Sequence, residues 1–309
     1  MMRRLLATTV ATVLAGASAG CGQPASGFAP DGRLDVVTAF YPLQFLSERI
    51  GADAVAVTEL TKPGAEPHDV ELNPRQVAAI HDAALVVHLR GFQPAVDEAV
   101  AQEAADRALD VGSVVPLLPA VEDDHEHVPG APKHAEGSMD PHVWLDPVRF
   151  ATIADRLAER LGRADPPRAA GYAQRAATLH RELAALDTEF ATGLRACARR
   201  ELVTSHTAFR YLAERYRLTE VGITGISPES EPSPRRLAHV AAEAKATGTT
   251  TIFFETLVSP KVAETIAREV GATTAVLDPL EGLTEPGTDY FSVMRRNLTA
   301  LTTALGCPS

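Results

Sequence analysis

Short apolar runs rich in Val, Ile, Leu and Thr alternate along this chain with Ala-rich segments whose apolar residues recur every three or four positions. That alternation is the pattern of α/β domains with parallel sheets, since a parallel strand needs a long crossover, usually a helix, to return in the same direction. One set of strands is predicted at Leu34 to Ala39, Ala54 to Leu60, Ala84 to Leu89 and Ala108 to Val111. A second is predicted at Leu202 to Thr204, Thr219 to Ile223, Thr250 to Phe254 and Thr274 to Leu277. Between the sets, Asp165-Pro166-Pro167 opens a helix with proline near its first turn. Tyr172, Ala176, Leu179, Leu183, Leu186, Phe190 and Leu194 then follow on one unbroken apolar face. A helix over 166–196 is roughly 45 Å long at 1.5 Å per residue. It either spans two domains or packs within one, and periodicity alone does not choose.

Length and charge narrow the class. A chain of 309 residues accommodates two domains of ordinary size. Its net charge is −11, and no basic tract appears beyond the first few residues, so nucleic acid is not an expected partner. The N-terminus reads as an export signal: Arg3-Arg4, an apolar stretch from Leu5 to Ala17, then Ser18-Ala19-Gly20-Cys21. The segment over 1–20 resembles a bacterial lipoprotein signal, with cleavage before Cys21 and lipid on its thiol. It departs from that pattern at Ser18, where Leu is preferred, and ordinary secretion is the alternative. Residues 21–33 would then be a tether rich in Gly, Pro, Ala and Ser. In an oxidising compartment Cys197 and Cys307 remain as an even pair. The simplest reading is a disulfide clamping the C-terminal tail, against two buried thiols.

Four residues stand out as metal ligands. His68 lies in the Pro- and Gly-rich loop Lys62-Pro63-Gly64-Ala65-Glu66-Pro67-His68-Asp69 after a predicted strand. His142 lies in the proline-flanked Asp140-Pro141-His142-Val143-Trp144-Leu145-Asp146-Pro147. His206 follows the strand ending at Thr204, and Asp278 follows the one ending at Leu277. A single loop His or Asp is more often a polar or capping residue than a ligand. The common placement, close to strand ends where open α/β sheets bind ligands, is what makes the set a candidate site.

These segments, in this order, resemble the zinc/manganese ABC-transporter substrate-binding lipoproteins, from about Val36 to the C-terminus. Glu229-Ser230-Glu231-Pro232-Ser233-Pro234 and Phe253-Phe254-Glu255 belong to the same resemblance. It implies two α/β lobes, 34–165 and 197–309, joined by a single long rigid helix over 166–196. It also implies a metal buried in the interlobe cleft and handed to a membrane permease with its ATPase. The family's four ligand positions fall on His68, His142, His206 and Asp278. Manganese-type relatives carry Glu at the third position, where this chain has His206. Three imidazoles and a carboxylate suit Zn²⁺ better than Mn²⁺, which favours more oxygen ligands.

The tract from Glu122 to His134, within a loop over 121–138, stands where zinc-type relatives carry a His-rich loop. Here it holds only His125, His127 and His134. It reads as loose capture of zinc, or acceptance from a periplasmic zinc chaperone, against a solvated acidic loop. Glu255 and Arg210 are candidates for residues that orient the ligands, or else a structural ion pair. A monomeric extracytoplasmic binding protein is expected, not an enzyme. Catalytic zinc keeps one position open for water, and neither a His-Glu-x-x-His helix nor a Gly-x-Ser-x-Gly elbow occurs. The alternatives are a manganese-specific member, an adhesin or zinc buffer of the same fold, and a secreted zinc hydrolase.

Overall fold

A computed structural model describes residues 27–120 and 138–308. Cys21, His125, His127 and His134 lie outside them. The first half runs β1 (Leu34–Thr38), α1 (Tyr41–Gly51), β2 (Val55–Glu59), α2 (Pro74–Asp82), β3 (Leu85–His88), α3 (Pro94–Glu103) and β4 (Ala108–Asp110), then α4 (Pro147–Ala164). A long helix α5 (Ala169–Gly193) follows. The second half runs β5 (Glu201–Thr204), α6 (Arg210–Tyr216), β6 (Thr219–Gly222), α7 (Pro234–Ala246), β7 (Thr251–Phe254), α8 (Lys261–Val270), β8 (Thr273–Val276) and α9 (Tyr290–Leu305). The two four-stranded sheets have orders β2-β1-β3-β4 and β6-β5-β7-β8, and every pairing is parallel. In each, the chain reverses its direction of progress beside the first strand, which opens a crevice at the carboxyl ends of the strands.

The connecting helix is shorter than its sequence span. Pro166–Arg168 form a 3₁₀ turn, and the α-helix proper has 25 residues, about 37 Å at 1.5 Å each. Pro166 and Pro167 have no N–H to give, so they suit the entry turn and not a helix interior. Helix α5 packs on α1 and α4 from the first half and on α9 from the second, burying Tyr172, Leu179, Leu183, Leu186 and Phe190. It is also tied by charge at both ends of its path. Arg175 donates to the Ile50 carbonyl at 2.5 Å on one side, while Arg215–Asp187 at 2.7 Å and Arg295–Glu189 at 2.8 Å brace the other. The core follows suit. One continuous apolar cluster runs from Leu34 through α4 and α5 to Leu305, with a smaller cluster of Val203, Val221, Val240, Ile252 and Ile266 between the second sheet and α7 and α8. Two halves sharing one core around a rod are held at a set spacing.

Cys197 and Cys307 are joined by a disulfide across 110 residues. It pins the exit of α9 to the segment after α5, where Arg199 N–H also donates to the Leu305 carbonyl at 3.0 Å. Closing so long a loop removes much freedom from the unfolded chain. Replacing both cysteines with alanine is expected to lower the unfolding free energy by about 2 to 5 kcal/mol. The readout is an earlier urea midpoint in non-reducing buffer, and an unmoved midpoint would contradict it.

Candidate metal centre

The loop after β2 carries His68 into a buried place where its ring meets Phe92 edge-on, centroids 4.6 Å apart. Its backbone N–H donates to Glu66 Oε1 at 3.0 Å. His206 follows β5 by two residues, and its Nδ1–H donates to Glu255 Oε1 at 2.8 Å, an oxygen that also accepts from the Ser205 hydroxyl at 3.0 Å. His142 directly follows none of the strands β1 to β8. It opens the 3₁₀ turn Val143–Leu145 that leads into α4, whose first turn is capped by the Asp146 carboxylate. Asp140 Oδ1 accepts from both the His142 backbone N–H at 3.0 Å and its Nδ1–H at 2.8 Å. Engaging Nδ1 in this way fixes the ring and turns Nε2 toward the metal position.

The fourth member of the group is Glu281, not Asp278. His68, His142, His206 and Glu281, all buried, each offer a ligand atom within 4.8 Å of the others. Glu281 Oε1 lies 3.3 Å from His68 Nε2, 2.9 Å from His142 Nε2 and 3.4 Å from His206 Nε2. Asp278 is engaged elsewhere. Its Oδ1 accepts the Leu280 N–H at 2.8 Å and its Oδ2 faces the Thr256 hydroxyl at 3.4 Å. Those bonds close a tight turn in which Leu280 takes a left-handed φ of 61°, costly for a branched residue and common where a site over-determines the backbone. Asn297 brackets the turn from α9, accepting from Asp278 N–H at 3.0 Å and donating to its carbonyl at 2.7 Å. The Trp144 indole N–H holds the Pro279 carbonyl at 2.7 Å. The turn therefore aims the next carboxylate, Glu281, into the cleft. Asp278, the acid nearest the strand end and the one expected from the sequence, closes the turn, and Glu281 is the acid the turn presents.

Arg210 touches no ligand. It lies 3.8 Å from Asp140 Oδ2, one step behind His142. His81, His88, His180 and His239 pair with Glu103, Asp97, Asp155 and Glu243, outside the group.

Electrostatics set the metal-free protonation. Burial by itself pushes His142 down, but hydrogen bonds to Asp140 and Glu281 prevail and raise it to about 9. His206 is raised well above its usual value, the Glu255 and Glu281 charges outweighing its burial. His68, burial dominating, is lowered. Burial would raise Glu281, yet His206 first, then His142 and His68, hold its carboxyl well below the usual range. Burial and the Glu281 charge push Glu66 up to about 8. The donor set fits a borderline divalent cation: three ring nitrogens and a carboxylate, with buried His206 Nε2 and Glu281 Oε2 lacking hydrogen-bond partners among the described residues.

Comparison with known proteins agrees with this geometry. A family model described as zinc-uptake complex component A, periplasmic, matches residues 36–304. The zinc-binding protein AdcA of Streptococcus pyogenes serotype M3 is 35% identical over 288 residues, 88% of this chain and 56% of its own. This chain thus spans little more than half the length of that relative. The high-affinity zinc uptake system protein ZnuA of Bacillus subtilis is 34% identical over 298 residues, 93% of each chain. Among solved structures, the zinc-bound ZnuA-like domain of Streptococcus pneumoniae AdcA superposes with a TM-score of 0.73 at 33% identity, over 89% of this chain and 99% of the other. The laminin-binding protein of Streptococcus agalactiae, described as having adhesin and metal transporting activity, gives 0.78 at 32% identity, over 88% and 99%.

With His142 and His206 protonated near neutrality, a metal must displace both protons before their nitrogens can bind. Affinity is therefore expected to fall on acidification and to climb with pH through the range in which His142, at about 9, and His206, also raised, lose their protons unaided. Calorimetric titration in buffers of different ionisation enthalpy at pH 7 is expected to show about two protons released per metal ion. Release of none would contradict the assignment.

Proposed function

The chain belongs to the family of periplasmic zinc-uptake complex components, and from that membership we propose that it is the extracytoplasmic binding component of an ABC importer, capturing Zn²⁺ for a membrane permease and its ATPase. The observation that carries the reading is the convergence of three buried imidazole Nε2 atoms on one carboxylate, Glu281. Zinc is the cargo. A nitrogen-rich tetrahedral set satisfies it fully, whereas Mn²⁺ is the weakest binder of the first-row series and prefers more oxygens. Four protein donors leave no position for an activated water, which separates this site from a zinc hydrolase.

In the same reading Cys21 anchors the protein to the membrane by lipid, and the protein works as a monomer. The acidic tract with His125, His127 and His134 captures zinc loosely before it enters the cleft, from solution or from a periplasmic chaperone. Replacing those three histidines with serine is expected to slow loading at limiting zinc; unchanged kinetics would count against that role.

The single tryptophan, Trp144, reports on the centre, its ring 5.3 Å from that of His142. Titration with Zn²⁺ is expected to change its emission with one tight site, and Mn²⁺ to bind far more weakly. Glu281→Gln is expected to weaken zinc binding by more than about a hundredfold and Asp278→Asn by about tenfold, the lower end of the range for losing a ligand's support rather than the ligand. Equal loss in the two variants, or none at Glu281, would overturn the ligand set.

A further inference from the structure

The second half reaches the centre by a route besides His206 and Glu281. The segments flanking residues 121–137 pair as a short antiparallel ladder. Ala120 N–H donates to the Ser138 carbonyl at 2.9 Å and Asp140 N–H to the Leu118 carbonyl at 2.8 Å, with Pro119 bridged to Met139. The first two residues of α6, from the other half, grip this ladder. Tyr211 is fully buried, and its hydroxyl accepts from Leu118 N–H at 2.8 Å while donating to the Asp140 carbonyl at 2.7 Å. Arg210 donates to the Pro119 carbonyl and brings its charge to 3.8 Å from Asp140 Oδ2, an oxygen with no hydrogen-bond partner among the described residues. The Tyr211 ring is held in turn beneath the Arg149 guanidinium, 5.0 Å from its centroid, and Arg149 pairs with Asp146 and Glu214 on the two sides of the cleft. Asp140 thus has two sets of partners: Oδ1 fixes His142, while its carbonyl and Oδ2 face α6.

We propose that Arg210 and Tyr211 form an interlobe latch on the metal centre. They are positioning residues that hold Asp140, and through it His142 Nε2, on the bound ion. The inference rests on the reading of this centre as a zinc site. While the latch is closed, Asp140 is held from the opposite half, and its Oδ1 keeps the His142 ring in place. Parting α6 from the ladder frees Asp140 and the imidazole together. Zinc retention is coupled to the fit between the halves by a path that contains no ligand from the second one. Partners behind a metal-bound histidine are typically worth 10- to 100-fold in affinity, and Tyr211 stands one bond further out, so its effect lies near the lower end.

The test is stopped-flow transfer of zinc from the loaded protein to excess chelator. Tyr211→Phe keeps the ring and removes the hydroxyl. It is expected to release zinc about tenfold faster, and Arg210→Gln to speed release by a smaller factor. In an Asp140→Ala background neither change is expected to add further acceleration, because the path to His142 is already cut. A merely structural effect on lobe packing would multiply in full. Release within about twofold of the wild type in both variants, or full multiplication on Asp140→Ala, would overturn the latch. Arg210→Gln, at a part-exposed position, carries the test alone if the phenylalanine variant does not fold. A wild-type chain that takes up no zinc would overturn the functional reading and the latch with it, whereas normal uptake with unchanged variants overturns the latch only.

Discussion

Glu281 has no solvent access, and one of its oxygens lies between 2.9 and 3.4 Å from the Nε2 atoms of three buried histidines. A carboxylate removed from water to that degree is costly unless positive charge meets it. Without metal the charge comes from protonated His142 and His206. With metal it comes from the cation, and the protons leave. The charge of the centre is therefore the same in both states, two protons exchanging for one dication, and the surrounding bonds hold the donor atoms together.

Holding those atoms is the work of the whole fold, because the donors span the chain from His68 to Glu281. Three of them sit on connections leaving β2, β5 and β8, and the fourth precedes α4. Each has its own brace: Asp140 for His142, Glu255 for His206, the Phe92 ring for His68, and for Glu281 a strained turn closed by Asp278 and bracketed by Asn297. The braces of a ligand set drawn from two lobes are useful only if the lobes keep their spacing. Helix α5 supplies this, packed against both halves and salt-bridged to the second at Asp187 and Glu189.

Much of this was legible in the amino-acid order. Parallel sheets showed in the alternation of β-branched runs with Ala-rich helices, and the face of α5 showed in the three- and four-residue recurrence from Tyr172 to Phe190. His68 and His206 were findable because both sit on loops leaving strand ends, where open α/β sheets bind ligands, and His142 because its proline-flanked segment carries the family resemblance. The fourth donor was not, for a physical reason. Asp278 and Glu281 are both acids just past β8, and only the backbone path decides which one faces inward. The left-handed Leu280 makes that decision, a conformation that a leucine does not advertise. Similarly, the role of Asp140 depends on a short-range turn that folds its carboxylate back onto His142, and its link to Tyr211 joins residues 71 apart. Neither periodicity nor spacing encodes a contact at that separation.

Which atoms bind the ion can be read from crystals of the zinc-loaded protein measured at the zinc absorption edge. One anomalous peak is expected, about 2.0 to 2.2 Å from the Nε2 atoms of His68, His142 and His206 and from a Glu281 oxygen, with the Asp278 carboxylate still on the Leu280 N–H. A peak bonded to Asp278, or one lacking any of the three imidazoles, would contradict this ligand set.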